Sequence, residues 1–402
     1  MNSIDKFTLD SCGLDKPGIN HVTGVLQGFD AFWLSNLARD SSKIHGRPII
    51  HISRDDSRLR ALADNINFFD PNLKTIIFPA WDCLPFDRVS PRADIISQRL
   101  LALCELLSLE EGSPAIFLTT LNAALQRIPP RSVLTGASKA IKIGDRSKQE
   151  ELALFFEGIG YVKVGSVMEV GEYAIRGGIL DIYPAAQELP IRIDFFGNEI
   201  EVMKSFDPIT QRSIEQVQAT YIGPAGEVFI DNDSIARFQK GYRSNFGAVI
   251  GNDPLFEAVS SGMRYPGFEH WLPLFYDKLD TIFDYLPIGP LVLDNFLDQA
   301  LIDRNETISD YFQARKNIES GVISTGSTIY KPLNPSLLYM DENEWLSKLA
   351  ERPVAKCLSF SKDDKTDAKQ VFIGAHKSRD FTPERKQGAD ILYKALVQYI
   401  KG

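Results

Sequence analysis

Strand and helix signals alternate along residues 18–130, and no other feature of the chain narrows the fold as far. PIIHIS (48–53), KTIIFPAW (74–81) and PAIFLTT (114–120) are short apolar runs of buried-strand type. Between and after them, LRALADNINFF (59–69), ADIISQRLLALCELLSL (93–109) and LNAALQRIP (121–129) repeat apolar residues at helical spacing. A strand that must reach its neighbour through a helix pairs with it in parallel, so this stretch predicts an α/β domain with helices on the faces of a parallel sheet. The polar RDDSR at 54–58 marks a helix start.

The pattern changes near residue 138. From there to about 224 the apolar runs are short and alternating, punctuated by Gly, Asn and Pro: YVKVGSVMEV, YAIRGGILDIYP, PIRIDFF and NEIEVMKSF. That predicts a small antiparallel β-rich module. Helical stretches return at 225–320, with one buried-strand candidate, GPLVLDN (289–295), among them. The β module therefore reads as an insertion between two α/β portions. The divisions expected are 1–137, an inserted domain at 138–224, a second flanking part at 225–335, and the start of a further domain at 336–402. A polar, Pro-marked stretch at 321–336 sets the last boundary, and the charged run SKDDKTDAKQ (361–370) reads as a loop. The last helix places Ile391, Leu392, Ala395, Leu396, Tyr399 and Ile400 on one face. That face needs a cover, either the preceding domain or chain beyond a cut.

Composition removes several functions. With 402 residues the chain holds roughly two to four domains. Its net charge of -9 disfavours a general nucleic-acid binder, which uses basic residues against phosphates. The four cysteines are scattered without a CxxC pair, and the histidines do not cluster with them. This argues against a metal site or a disulfide framework and suits a reducing cytoplasm. There is no apolar signal core at the N-terminus and no run of about 18 apolar residues. The place for a phosphate loop is TGVLQGFDAFW (23–33), but Phe29, Asp30 and Ala31 stand where Gly-Lys-Ser/Thr is needed. Asp30 repels phosphate and Ala31 cannot ligate Mg²⁺. No GxSxG motif occurs. The paired carboxylates sit in polar, turn-like settings. His270 and the four tryptophans read as packing residues. No catalytic, cofactor or metal site emerges.

The β module is more informative. A two-residue loop at Gly197-Asn198 pairs Phe195 with Ile200 and Ile193 with Val202, turning these apolar residues to the core. The other face carries Arg192, Asp194 and Phe196. A phenylalanine there stays wet unless another domain or a partner covers it; burying its ring is worth about 2–3 kcal/mol. Arg176 shares parity with Leu180 and Ile182 under strict alternation. A bulge at Gly177-Gly178 would instead turn it toward Arg192.

GEYAIRGGILDIYP (171–184), PIRIDFFGNEIE (190–201) and FDPITQRS (206–213) closely resemble the bacterial transcription-repair coupling factors (Mfd), in their UvrB-like N-terminal module. FPAWDCLPFDRVSP (78–91), TTLNAALQRIPP (119–130) and SRDFTPERKQGAD (378–390) extend the resemblance over essentially the whole chain. The resemblance implies a degenerate helicase-like (RecA-type) parallel-sheet domain, an inserted antiparallel β-rich domain, and the start of a further small α/β domain. It implies that the inserted domain binds UvrA through Arg176, Arg192 and Phe196. ATP and Mg²⁺ use, RNA polymerase contact and DNA translocation would belong to other domains of a longer parent, of which this chain would be a fragment. Unlike UvrB, the chain lacks an intact phosphate loop, and 78–91 leaves no room for a long DNA-inserting hairpin. Replacing Phe196 or Arg192 by alanine is expected to weaken UvrA binding without lowering stability.

Overall fold

A computed structural model describes residues 7–185, 187–249, 253–319, 330–358, 370–375 and 379–401. The larger sheet of the fold has seven strands, and its neighbouring strands all run parallel. Its strands are β1 (Gly18–Thr23), β2 (Ile49–Ser53), β3 (Lys74–Phe78) and β4 (Ala115–Thr120), joined by three from the C-terminal part of the chain. Those three are β13 (Leu291–Leu293), β14 (Pro353–Leu358) and β15 (Gln370–Phe372), and the order is β15-β1-β14-β13-β2-β4-β3. Every residue of β2 and β4 is buried. Central strands of a sheet covered on both faces are apolar throughout, which is why these segments read as continuous runs.

The helices divide between the faces. Phe29–His45 and Asp56–Phe69 pack on one side with Leu34, Leu37, Leu59, Leu62 and Ile66. Ala93–Leu107, Leu121–Leu125 and the start of Leu297–Glu319 pack on the other. Asp55 starts the second helix by accepting a 2.7 Å hydrogen bond from the Arg58 amide, as its position in RDDSR predicts.

The inserted module leaves and returns through adjacent strands. β5 (Lys139–Lys142) and β12 (Ala219–Ile222) pair antiparallel and form a two-stranded neck. Beyond it lies a six-stranded sheet of order β11-β10-β9-β8-β7-β6. It comprises β6 (Val162–Lys163), β7 (Glu172–Arg176), β8 (Ile179–Ile182), β9 (Ile191–Phe196), β10 (Glu199–Phe206) and β11 (Ser213–Gln216), all antiparallel except β6 with β7. The return is anchored by a fully buried ion pair, Arg99 Nε to Glu227 Oε1 at 2.6 Å, with Trp81 Nε1 donating to the same carboxylate at 3.1 Å. His270 is buried against Trp81, as a packing residue should be. Residues 79–91 contain no strand.

Three expectations are corrected. The boundary at 335/336 falls inside the first domain's sheet, because β14 sits between β1 and β13. A strand far along the chain can complete a sheet begun three hundred residues earlier, and no local pattern signals that. After the sheet come two helices, Thr382–Gln387 and Ala389–Lys401; the second has no buried residue. The other two corrections lie in the β module. Gly177-Gly178 is the turn of a hairpin, with Arg176 opposite Ile179, rather than a bulge within a strand. The β9–β10 register begins as predicted, with Ile200 opposite Phe195, but an irregularity between Ile200 and Val202 then shifts it. Ile193 faces Met203 instead of Val202. The extra residue at the hairpin end is a bulge on the longer strand. The stretches at 320–329 and 359–369, which include most of the expected boundary and loop segments, lie outside the described residues.

Candidate protein-interaction face

Strand register decides which side chains share a face. Arg176 lies opposite Ile179, Ile179 opposite Asp194, and Asp194 opposite Val202. One row away, Ala174, Asp181, Arg192 and Lys204 stand opposite one another in turn. Phe196 comes two residues after Asp194 on the same side. Arg176, Arg192 and Phe196 therefore share one face, and the two-residue hairpin turn brings Arg176 there. The opposite face buries Tyr173, Leu180, Ile182, Ile191, Ile193, Ile200 and Met203 in the core.

The three residues differ in freedom. Phe196 is 77% exposed, so nothing else in the described chain covers its ring. Arg176 keeps 48% of its side chain exposed and places one Nη2 at 2.5 Å from Asp181 Oδ2. Arg192 keeps only 18%. Its Nε and Nη2 grip the two oxygens of Asp181 at 2.8 and 2.9 Å, and its guanidinium lies 4.6 Å from the Phe206 ring centre. Nη1 donates to the Gln211 carbonyl at 3.2 Å. The hydrogen bond to Asp181 holds the Arg192 pKa above its ordinary value.

Asp181 is the residue that sequence reasoning passed over. Its side chain is 0% exposed although it belongs to the outward face, because both arginines close over it. A buried carboxylate demands paired donors. The FDPITQRS segment is explained by the same cluster. Asp207 accepts from the amides of Ile209 and Thr210 at 2.9 and 2.6 Å, closing a turn in which Gln211 takes φ +59°. That turn presents the Gln211 carbonyl to Arg192. An alternating strand containing an acid between two arginine-bearing strands was the available signal.

The segment after β1, where the sequence is expected to carry a broken phosphate loop, is held by its own side chains. After β1 the chain turns into the helix Phe29–His45, where a phosphate loop would present amides to an anion. Here Asp30 Oδ1 accepts from the Gly28 and Ala31 amides at 2.9 and 2.8 Å. Its other oxygen pairs with Arg58, whose Nε reaches Asp294 at 3.3 Å. All three side chains are buried. Burial opposes the Arg58 charge, but Asp294 and Asp30 outweigh it and hold its pKa up. The Gly28 and Ala31 amides at the start of this helix are thus taken by a carboxylate of the chain itself.

Comparison with known proteins agrees with this layout. Residues 140–227 match the UvrB interaction domain, a span that begins in neck strand β5 and ends at Glu227, shortly after neck strand β12. Along most of its length the chain aligns with proteins named transcription-repair-coupling factor. That of Haemophilus influenzae is 32% identical over 343 residues, 84% of this chain and 28% of the relative. That of Escherichia coli is 31% identical over 385 residues, 95% of this chain and 32% of the relative. The chain is homologous to one part of the transcription-repair-coupling factors. It spans about a third or less of the length of these relatives, 28% and 32%. Within that homology the face bearing Arg176, Arg192 and Phe196 lies wholly inside the UvrB interaction domain. No helix among the described residues is long and apolar enough to cross a membrane.

Proposed function

We propose that this chain is a recruitment module: its inserted β domain binds UvrA and so links nucleotide excision repair to a stalled RNA polymerase. The observation that carries this is the exposed Phe196 ring beside Arg176, on a face whose remaining arginine is fixed by Asp181. An aromatic anchor next to an arginine with spare donors is the usual composition of an interface hot spot. Arg176 and Phe196 read the partner, and Arg192 and Asp181 form the rigid base beneath them. The partner surface that fits has an apolar pocket for the ring and carboxylates or carbonyls for the guanidinium.

The role is binding rather than catalysis. The self-filled phosphate loop supports this, since ATP would have to displace a buried ion-paired carboxylate there. Translocation on DNA and contact with RNA polymerase are assigned to parts of a longer parent. The test is UvrA capture by Phe196→Ala and Arg176→Ala variants. We expect each to lose at least about 1–2 kcal/mol of affinity, with an unchanged unfolding transition for Phe196→Ala and a lowered one for Arg176→Ala, which leaves Asp181 to Arg192 alone. Capture equal to that of the unaltered chain by both folded variants would remove UvrA from this face.

A further inference from the structure

A second site is built at the carboxyl ends of the large sheet's central strands, from elements that play no part in the UvrA reading. β2 is followed by a helix on one face of the sheet, whereas β4 and β13 are followed by helices on the other. Chains that part in this way leave a crevice beyond the strand ends, where open α/β sheets hold their ligands. The crevice here is an open hollow of about 480 Å³, and Arg54, Asn122, Phe296 and Arg304 contribute to its lining. A space of that size suits a small molecule.

Its polar groups are unequal. The two acids of the lining are already engaged. Asp55 caps a helix and takes Arg54 Nε at 3.2 Å, and Asp303 accepts from Gln299 at 2.8 Å. Arg304 is the opposite case. It forms no ion pair and donates no hydrogen bond to a described residue, and its Nε is sealed from solvent. Its guanidinium rests 5.5 Å from the Tyr339 ring centre, and burial lowers its pKa. A half-buried cation whose Nε is sealed without an acceptor is costly unless something anionic meets it. Phe296 adds a third feature. It holds φ +63°, a left-handed conformation costly for a bulky residue, and its ring is 60% exposed. Such strain is kept where the surroundings impose it, often at ligand sites.

We propose that this crevice binds a free mononucleotide, its phosphate on Arg304 and Asn122 and its base against the Phe296 ring. Arg54 closes the site at the end of β2. The phosphate loop after β1 is not involved.

Titration calorimetry of the full chain with AMP, adenosine and inorganic phosphate tests the assignment. AMP should bind saturably, and adenosine should bind more weakly. Arg304→Gln should weaken AMP by at least about tenfold, the effect of one charged hydrogen bond. Phe296→Gly relieves the strained backbone while deleting the ring, so it should fold at least as well. It should weaken AMP and leave phosphate unchanged. If Arg304→Gln does not fold, Asn122→Ala and Phe296→Gly carry the same test. Absence of AMP binding, AMP affinity unchanged in the folded variants, or binding of oligothymidylate without AMP would each overturn the proposal.

Discussion

At the scale of single residues, the interaction face separates two jobs that the sequence presents as one. Three residues stand out by type in 171–196, and all three are expected to act alike. The structure makes Phe196 and Arg176 accessible and turns Arg192 inward, to a carboxylate with no exposure of its own. Removing Arg192 strands Asp181 with a single partner, and breaking a buried pair in this way costs about 3–5 kcal/mol. Arg192→Ala should therefore unfold at clearly lower urea concentration than the unaltered chain, whereas Phe196→Ala should not. This departs from the expectation that both are neutral for stability. An unchanged urea midpoint in Arg192→Ala would show that the cluster is not a structural base.

At the scale of elements, the hairpins set what the face can present. Gly197 takes φ +62° and Asn198 does not take a positive φ, the pattern of a type II′ turn. Gly177 takes φ +62° at the corresponding place in the β7–β8 hairpin. Both turns lie at the end of the sheet that carries Phe196 and Arg176. An added Cβ at Gly197 meets nothing within 4 Å, so the penalty there is conformational and not steric crowding. Gly197→Ala should cost about 1 kcal/mol, measurable by denaturant titration, through the positive φ alone. It should also weaken UvrA capture if the turn aims Phe196.

At the scale of the whole molecule, the pH response depends on buried groups far from that face. Burial lowers the pKa of His51 and of His270 to about 4. Burial also raises the Glu269 carboxyl to about 7, although Ser90 donates to it. The histidines bind protons more readily in the unfolded chain, so their contribution to stability is lost as pH falls from about 6.5 toward 4. Glu269 acts in the opposite sense: its folded pKa lies above its unfolded one, so its contribution is lost as pH rises from about 4.5 through 7. Across the shared window the two histidines outnumber the one carboxyl. Stability should therefore rise with pH, and Glu269→Gln should make that rise steeper. Melting curves between these limits check the sign. An equal or shallower slope in the variant would contradict the buried, raised carboxyl.

Much of this was legible in the chain itself. Alternating apolar runs predicted the parallel sheet, because a strand buried on both faces must be apolar along its length. The loop at Gly197-Asn198 and the alternation around it predicted which face Phe196 occupies, because side-chain period and turn length are local properties. Tertiary structure decided the rest. Only folding brings β14 into a sheet begun by β1, pairs buried Asp30 with Arg58, and closes two arginines over Asp181. Each of these joins residues through burial and charge pairing across space, and a pairing made by desolvation leaves no periodic trace in the order of the amino acids.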